Sequence, residues 1–528
     1  MTDVHNGTTE KTVPIKKAGG RVSLRLQVIR LHRWVAFVGG ITLLIWGASG
    51  LMHVAMSAFG PQPVRFFPPE RPLQLAEAEP LDAILGQAGV RHAAAVKVIV
   101  GENENLLQIT ETQDTPRRYF RLSDGTELND HDPHHAVHLA RYFMDEAEAP
   151  IRSVEWVTAF SDSYPAVNRL LPVYKVVFDR SDKLAVYIYT ETNTVAAVTN
   201  ARKEVLQQAF QWMHTWSWMP HEAGWLRTIL MGTMIIGLIA MALSGLAMIA
   251  LIRRRSRAPG PLGWHRLSGY LLWLPILALS GSGLFHLLQH HGSHVSERIL
   301  TLSPPLGVAG VSYPINQQWE DMTRGMTVNS LSLVQAADGQ WLYRLSMAPD
   351  QRNGPRGSEA IRNARFDGKP NSGAVHYVDA STGRIWEEGD RELALQLGER
   401  FTGVDRSAVK ELTMVTRFGS GYDFRNKRLP VWRLDYGAPV NASVYIDTAA
   451  GVLADQTLNS ARAELFSFSY FHKWAFLSPL GRSVQNLVIA LVVAGSLILM
   501  GVIGLQLDLK RRGRKRAFKR QSSLSGVE

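Results

Sequence analysis

Histidines recur at matched places in this chain. His32-Arg33 opens an apolar stretch that closes on Ser49-Gly50-Leu51-Met52-His53. His265-Arg266 opens another, 233 residues on, that closes on Ser282-Gly283-Leu284-Phe285-His286. At the helical rise of about 1.5 Å per residue, the step from His32 to His53 spans roughly 31 Å, the thickness of a hydrocarbon core. Each stretch therefore sets an imidazole at both faces of a membrane. Ionisable groups at that depth are costly and mark function, and imidazole is a strong ligand for haem iron. The chemistry this points to is electron transfer through a membrane by a haem protein.

A second pair of histidines follows the same logic. His214-Thr215-Trp216-Ser217-Trp218 and His472-Lys473-Trp474-Ala475-Phe476 stand 258 residues apart, each just before an apolar stretch. Aromatic rings favour the membrane interface, so an interfacial belt with incidental histidines is the plain alternative. The candidate haem ligands are His32 and His265 on one side of the membrane and His53, His286, His214 and His472 on the other. For His32 and His265 the alternative is snorkelling to the headgroups beside their arginines. Gly50 and Gly283 lie three residues before the span histidines, on the same helix face, where a missing side chain leaves flat room for a porphyrin. Small residues also serve helix packing. His290, four residues after His286, is an alternative ligand; His291 and His294 follow it as a solvated helix end. In His131-Asp132-Pro133-His134-His135 followed by His138, His134 and His138 have the i, i+4 spacing of a metal pair, against a simple polar helix start at the proline.

The elements that must position these groups are four apolar spans, at about 34–58, 225–252, 266–288 and 484–507. Lys and Arg number seven in residues 1–33, five in 253–266 and eight in 508–528, against only Asp3, Glu10, Asp508 and Glu528. The positive-inside rule places these three pieces (tail 1–33, loop 253–265, tail 508–528) in the cytoplasm. The remainder carries 37 basic and 42 acidic residues, so the overall charge of +11 records topology. No basic patch remains for nucleic acid. Segments 59–223 and 289–483 then face the periplasm, and span 1 reads as a retained signal anchor. The chain has no cysteine, which excludes disulfides, iron–sulfur clusters and covalently attached c-type haem. Any haem is b-type, held by histidine.

The outer segments also match each other. Tyr119-Phe120-Arg121-Leu122 pairs with Tyr377-Val378-Asp379-Ala380, Leu171-Pro172-Val173-Tyr174 with Leu429-Pro430-Val431-Trp432, and Val186-Tyr187-Ile188 with Val444-Tyr445-Ile446, all 258 apart. The change from 233 to 258 locates an insertion in the Gly/Pro/Arg-rich stretch Pro349–Ala374. The expected fold is an integral membrane α-helical protein with an internal 2+2 parallel repeat of span, outer domain, span. Spacing predicts a helix over Leu81–Gly89, strands over Ala95–Thr110, Arg117–Leu122, Val173–Phe178 and Leu184–Tyr189, and a helix over Lys203–Trp212. Each outer segment is expected to form an α+β unit.

The order of a span opening on His-Arg, an outer domain with Leu-Pro-Val-Tyr (171–174) and Tyr-Val-Asp-Ala-Ser-Thr-Gly (377–383), and His-x-Trp before a span ending in basic residues resembles the PepSY-associated transmembrane proteins. Their members include bacterial inner-membrane reductases of ferric siderophores. The resemblance covers most of residues 25–515. It implies a four-helix membrane part binding haem b, two or more, through span histidines, with two PepSY-like domains in the periplasm.

The cytoplasmic pieces are too short to fold around NAD(P)H or FAD, and no G-x-G-x-x-G follows a strand. Electrons would come from a quinol or a separate cytoplasmic reductase. Hydrolase motifs G-x-S-x-G and H-E-x-x-H are absent from the sequence. Two functions remain. One is a haem-dependent reductase of a ferric siderophore or other ferric chelate in the periplasm; the other is a membrane-anchored PepSY module that binds or regulates without redox activity.

Overall fold

The computed structural model describes residues 19–251, 260–290, 305–317, 326–347, 368, 374–419 and 421–524. They fall into two compact units, Met1–Leu51 with Trp216–Leu287 and Leu477–Glu528, and Met52–Thr215 with Leu288–Phe476. In chain order the helices are α1 (Gly19–Phe59), α2 (Leu81–Gln87), α3 (His131–Met144), α4 (Ala201–Phe210), α5 (Gly224–Leu251), α6 (Pro261–His290), α7 (Gly389–Thr402), α8 (Arg462–Ser467), α9 (Arg482–Gly495) and α10 (Ile503–Leu524).

The first unit is helical. Leu24–Phe59, Gly224–Leu251, Pro261–Gln289 and Arg482–Ala517 are long and apolar enough to cross a membrane. Leu43, Leu238, Met241, Ala242 and Ile276 form its buried centre. Glycines of α1 allow close approach: a Cβ on Gly47 would lie 2.7 Å from Leu497, and one on Gly39 2.9 Å from Met241. The last span is interrupted at Ser496–Val502 by a π turn between α9 and α10.

The second unit is built on sheets, besides a two-stranded ribbon of β1 (His92–Ala93) and β9 (Leu306–Gly307). Strands β5 (Ile151–Val157), β6 (Val173–Phe178), β7 (Ala185–Tyr189) and β8 (Thr194–Thr199) form one antiparallel sheet in sequence order. Strands β13 (Val409–Val415), β14 (Val431–Tyr436), β15 (Ala442–Asp447) and β16 (Val452–Leu458) form another in the same order. Helix α3 packs Leu139 and Phe143 against Val176, Val186 and Ile188 of the first. Helix α7 packs Leu393 and Leu397 against Leu434, Val444 and Ile446 of the second. In each case leucine or phenylalanine four residues apart meets the inward positions of alternating strands.

The third sheet changes the expectation of one self-contained domain per outer segment. Strands β2 (Ala95–Val100), β3 (Asn105–Thr110) and β4 (Arg118–Arg121) of the first segment join β10 (Val328–Gln335), β11 (Trp341–Met347) and β12 (Val375–Asp379) of the second. The order is β12-β11-β10-β2-β3-β4, with β2 antiparallel to β10. Separated, β2 and β10 would each present an unpaired edge, and pairing them removes both. One face of this sheet carries Val98, Leu107, Leu331, Tyr343, Leu345 and Val378 and packs on Leu81, Ile84 and Leu85 of α2.

The other face is polar. Register aligns Tyr377, Arg344, Ser332, Lys97, Gln108 and Tyr119 in one row, one residue from each strand. All but the half-buried Lys97 are buried. At one end the Tyr119 hydroxyl donates to Asp132 (2.6 Å); at the other the Tyr377 hydroxyl donates to Asp390 (2.5 Å). Both carboxylates sit in the first turn of the helix that covers a four-stranded sheet, where free backbone N–H groups favour negative charge. Asp390 also accepts from Arg344 Nε (3.2 Å), Trp432 Nε1 (2.6 Å) and Thr448 Oγ1 (2.8 Å). Mid-row, Glu191 takes Arg428 (2.8 Å) and Lys97 (3.4 Å), and Arg428 takes Asp447 (2.8 Å). Burial alone would raise the Glu191 carboxyl, but Arg428 and Lys97 outweigh it and bring it down to about 2.

Two outcomes follow. Asp390→Asn leaves the Arg344 guanidinium without its counter-charge and should cost about 3 kcal/mol, read as a fall in the thermal midpoint of the purified protein. Because the Glu191 carboxyl is depressed on folding, its contribution is present above about pH 4.5 and is lost as pH falls toward 2. Glu191→Gln should flatten that acid limb while lowering stability at pH 7.

Candidate cofactor-binding site

His32 lies half-buried on α1. Its Nδ1 is 3.2 Å from the Met241 carbonyl and 3.1 Å from Ser244 Oγ, both on α5. A carbonyl only accepts, so Nδ1 carries the proton and Nε2 keeps its lone pair, the form in which imidazole binds a metal. His265 on α6 repeats this with Nδ1 3.1 Å from the Leu499 carbonyl. Leu499 stands within the π turn Ser496–Val502, where the usual i→i+4 ladder is broken and carbonyls become available to a side chain. Each ring also lies against a glycine. A Cβ on Gly245 would sit 3.4 Å from Cε1 of His32, and one on Gly504 3.1 Å from Cε1 of His265.

His214 and His472 belong to the second unit. Helix α4 passes into a π turn at Gln211–Thr215, and α8 into one at Phe468–His472. The wider turn carries His214 onto Phe210 (centroids 4.6 Å, 17°) and His472 onto Phe468 (4.7 Å, 14°). The two imidazoles then meet, with centroids 6.5 Å apart and planes at 78°. Two rings sharing one metal, at about 2 Å for each metal–nitrogen bond, have centroids separated by a distance of this order. Trp216 and Trp474, two residues after each histidine, both take a left-handed φ of 53°, which ends the turn. His53, exposed near the end of α1, places its ring 5.3 Å from that of Phe210, the ring on which His214 stacks.

The remaining candidates are placed less informatively. His286 is half-buried on α6. A Cβ on Gly50 would meet nothing within 4 Å, so the face above it is open. His290 closes α6, and its side chain lies outside the described residues, as do His291 and His294. His134 and His138 stand on α3, the first exposed and the second half-buried. His135 between them is buried and bonds Asn193 (2.9 Å), and burial brings its imidazole down to about 3. Among the described residues no group of three or more His, Asp or Glu is arranged to hold a metal ion, so α3 offers no completed metal site.

The sequence pairs His214 with His472 by offset alone; the π turns that aim them, and the third π turn beneath His265, have no residue-type signature. What the spacing could have revealed was Asp132 with Asp390, also 258 apart, each next to a helix start.

Residues 29–321, more than half of the chain, match the family described as the PepSY-associated TM region. No curated protein matches the chain.

Enlarging Gly504 presses on the His265 ring, whose Cε1 would lie 3.1 Å and Nδ1 3.6 Å from the new Cβ. Gly504→Val should therefore change the environment of that ring selectively, read as a shifted imidazole resonance in the purified protein, while Gly513→Val, where a Cβ meets nothing within 4 Å, should not.

Proposed function

Because the chain belongs to the PepSY-associated transmembrane family, we propose that this membrane protein is a haem b electron-transfer protein of the bacterial inner membrane, reducing ferric chelates met in the periplasm. The observation that carries this reading is the meeting of His214 and His472 at 6.5 Å on matching π turns. A belt of interfacial aromatics requires no such convergence. Support comes from His32 and His265, each with its Nδ1–H donated to a carbonyl and the Nε2 lone pair left to bind a metal.

We read the chain as two copies of span, outer segment, span, with the basic pieces in the cytoplasm. On this reading His32 and His265 serve the cytoplasmic side, and His214 with His472 serve the periplasmic side, with His53 and His286 as the further candidates there. Haem, when bound, supplies a one-electron ferric/ferrous couple. The chain's own part is to fix ligand tautomers through Met241 and Leu499, to hold the outer rings on Phe210 and Phe468, and to surround both with apolar helix. The donor is a quinol or a separate cytoplasmic reductase. The acceptor is a ferric siderophore or related chelate, whose hard oxygen ligands hold ferrous iron far more weakly, so reduction releases the metal.

The test is an absorption spectrum of the purified protein, oxidised and dithionite-reduced, with haem quantified per chain before and after acid–acetone extraction. Two or more extractable haems per chain are expected, and His214→Ala with His472→Ala should remove at least one. In proteoliposomes with a reductant and quinone trapped inside, an external membrane-impermeant ferric chelate should be reduced. If haem is absent, or prereduced haem is not reoxidised by any external ferric chelate, the protein is a membrane-anchored PepSY binding module instead.

A further inference from the structure

Arg117 is 3% exposed, and its Nε, Nη1 and Nη2 all lack a hydrogen-bond partner. A guanidinium does not release its proton at any pH a folded protein meets. A full charge is therefore buried with its donors unused, a situation proteins resolve with a counter-ion.

The opposite end of the polar row shows what such a resolution looks like. There Arg344 places Nε on Asp390. At the Arg117 end the equivalent carboxylate, Asp132, is spent on the Arg117 backbone N–H (2.9 Å) and the Tyr119 hydroxyl. Glu191, the other carboxylate in reach, is held by Arg428 and Lys97. The Arg117 guanidinium stands instead over the rings of Trp156 (5.5 Å) and Tyr189 (5.3 Å), close enough for its charge to act on the Tyr189 hydroxyl and on Glu191.

Two further hydroxyls point the same way. Thr110 ends β3 beside Arg117, continuing the register that pairs Ile109 with Arg118, and its buried Oγ1 has no partner. Thr190 follows Tyr189, its carbonyl accepts from Gln108 Nε2 (3.0 Å), and its own buried Oγ1 has no partner. Gln108 Oε1, an acceptor, is also without one and is suited to a water molecule.

We propose that a small monovalent anion of chloride size binds inside the outer unit, held by the Arg117 guanidinium and the hydroxyls of Thr110 and Thr190. A guanidinium with no direct ion pair takes one negative charge at most. The enclosure of every donor favours a monatomic ion over an oxyanion, whose extra oxygens would need donors of their own. The aromatic walls favour an anion that gives up hydration readily.

The test uses the full-length protein in detergent, dialysed into sodium chloride or sodium gluconate at equal ionic strength. Chloride should raise the thermal midpoint by about 3 °C over gluconate, and the chloride-35 resonance should broaden on addition of protein. Arg117→Met and Thr110→Val should each abolish both effects. Should Arg117→Met fail to fold, the double variant Thr110→Val with Thr190→Val decides. Equal midpoints in chloride and gluconate, with no line broadening, would overturn the proposal and leave these groups to internal water. A stabilisation by sulfate equal to that by chloride would overturn the assigned size. None of these readings depends on haem.

Discussion

Two carboxylates, one buried and one half-buried, hold the second unit together. Asp132 and Asp390 each occupy the first turn of a helix, and each receives a tyrosine hydroxyl from the last strand at one end of the shared sheet. Through that single atom cluster a helix, the four-stranded sheet beneath it and the edge of the six-stranded sheet are fixed relative to one another. A carboxylate can do this because it accepts several hydrogen bonds at once, and the helix start supplies the field that keeps it ionised. Asp390 joins Arg344, Tyr377, Trp432 and Thr448, residues from four different parts of the chain. Remove the Asp390 charge and donors from β11, β12 and β14 lose their acceptor together.

The candidate ligands rest on a related device in the membrane. An apolar helix offers a histidine few partners, because its carbonyls are committed to the i→i+4 ladder. His32 solves this by sharing the Met241 carbonyl beside Ser244, whose hydroxyl bonds back to Ala240 and Met241. His265 uses a π turn. In the second unit two more π turns carry His214 and His472 toward each other. Local loosening of helix geometry thus accompanies three of these histidines, His214, His265 and His472.

Much of this was legible in the residues themselves. The four spans, the helix α2, strands β2, β3, β6 and β7, and the candidate histidines all follow from hydropathy, alternation and internal matching. The spans were read short, because apolar windows end where charges begin, whereas α1 continues as helix from Gly19 and the last span runs on through α10 to Leu524. Lysine and arginine are good helix formers and do not stop a helix on leaving the membrane. The shared sheet was not legible, since Ala95–Val100 and Val328–Gln335 look like ordinary strands and nothing in either says which edge it will join. Nor was the role of Asp132, which stood among four histidines and was passed over as part of a metal-like motif. Its importance is visible only when Tyr119, thirteen residues away in sequence, is seen to reach it.

On the proposed reading of the chain as two copies, the pairing of β2 with β10 has an evolutionary meaning. Two strands running antiparallel about a common midpoint are the arrangement that identical subunits adopt across a twofold axis. A chain of half this length, carrying one such outer segment, would expose the edge of its second strand and find its natural complement in another copy of itself. Covalent linkage of two such copies would free them to diverge. The exchange of Gln108 for Arg344 in the polar row, and of Tyr174, which bonds Asp132, for Trp432, which bonds Asp390, is the kind of asymmetry that a homodimer cannot acquire and a fused chain can.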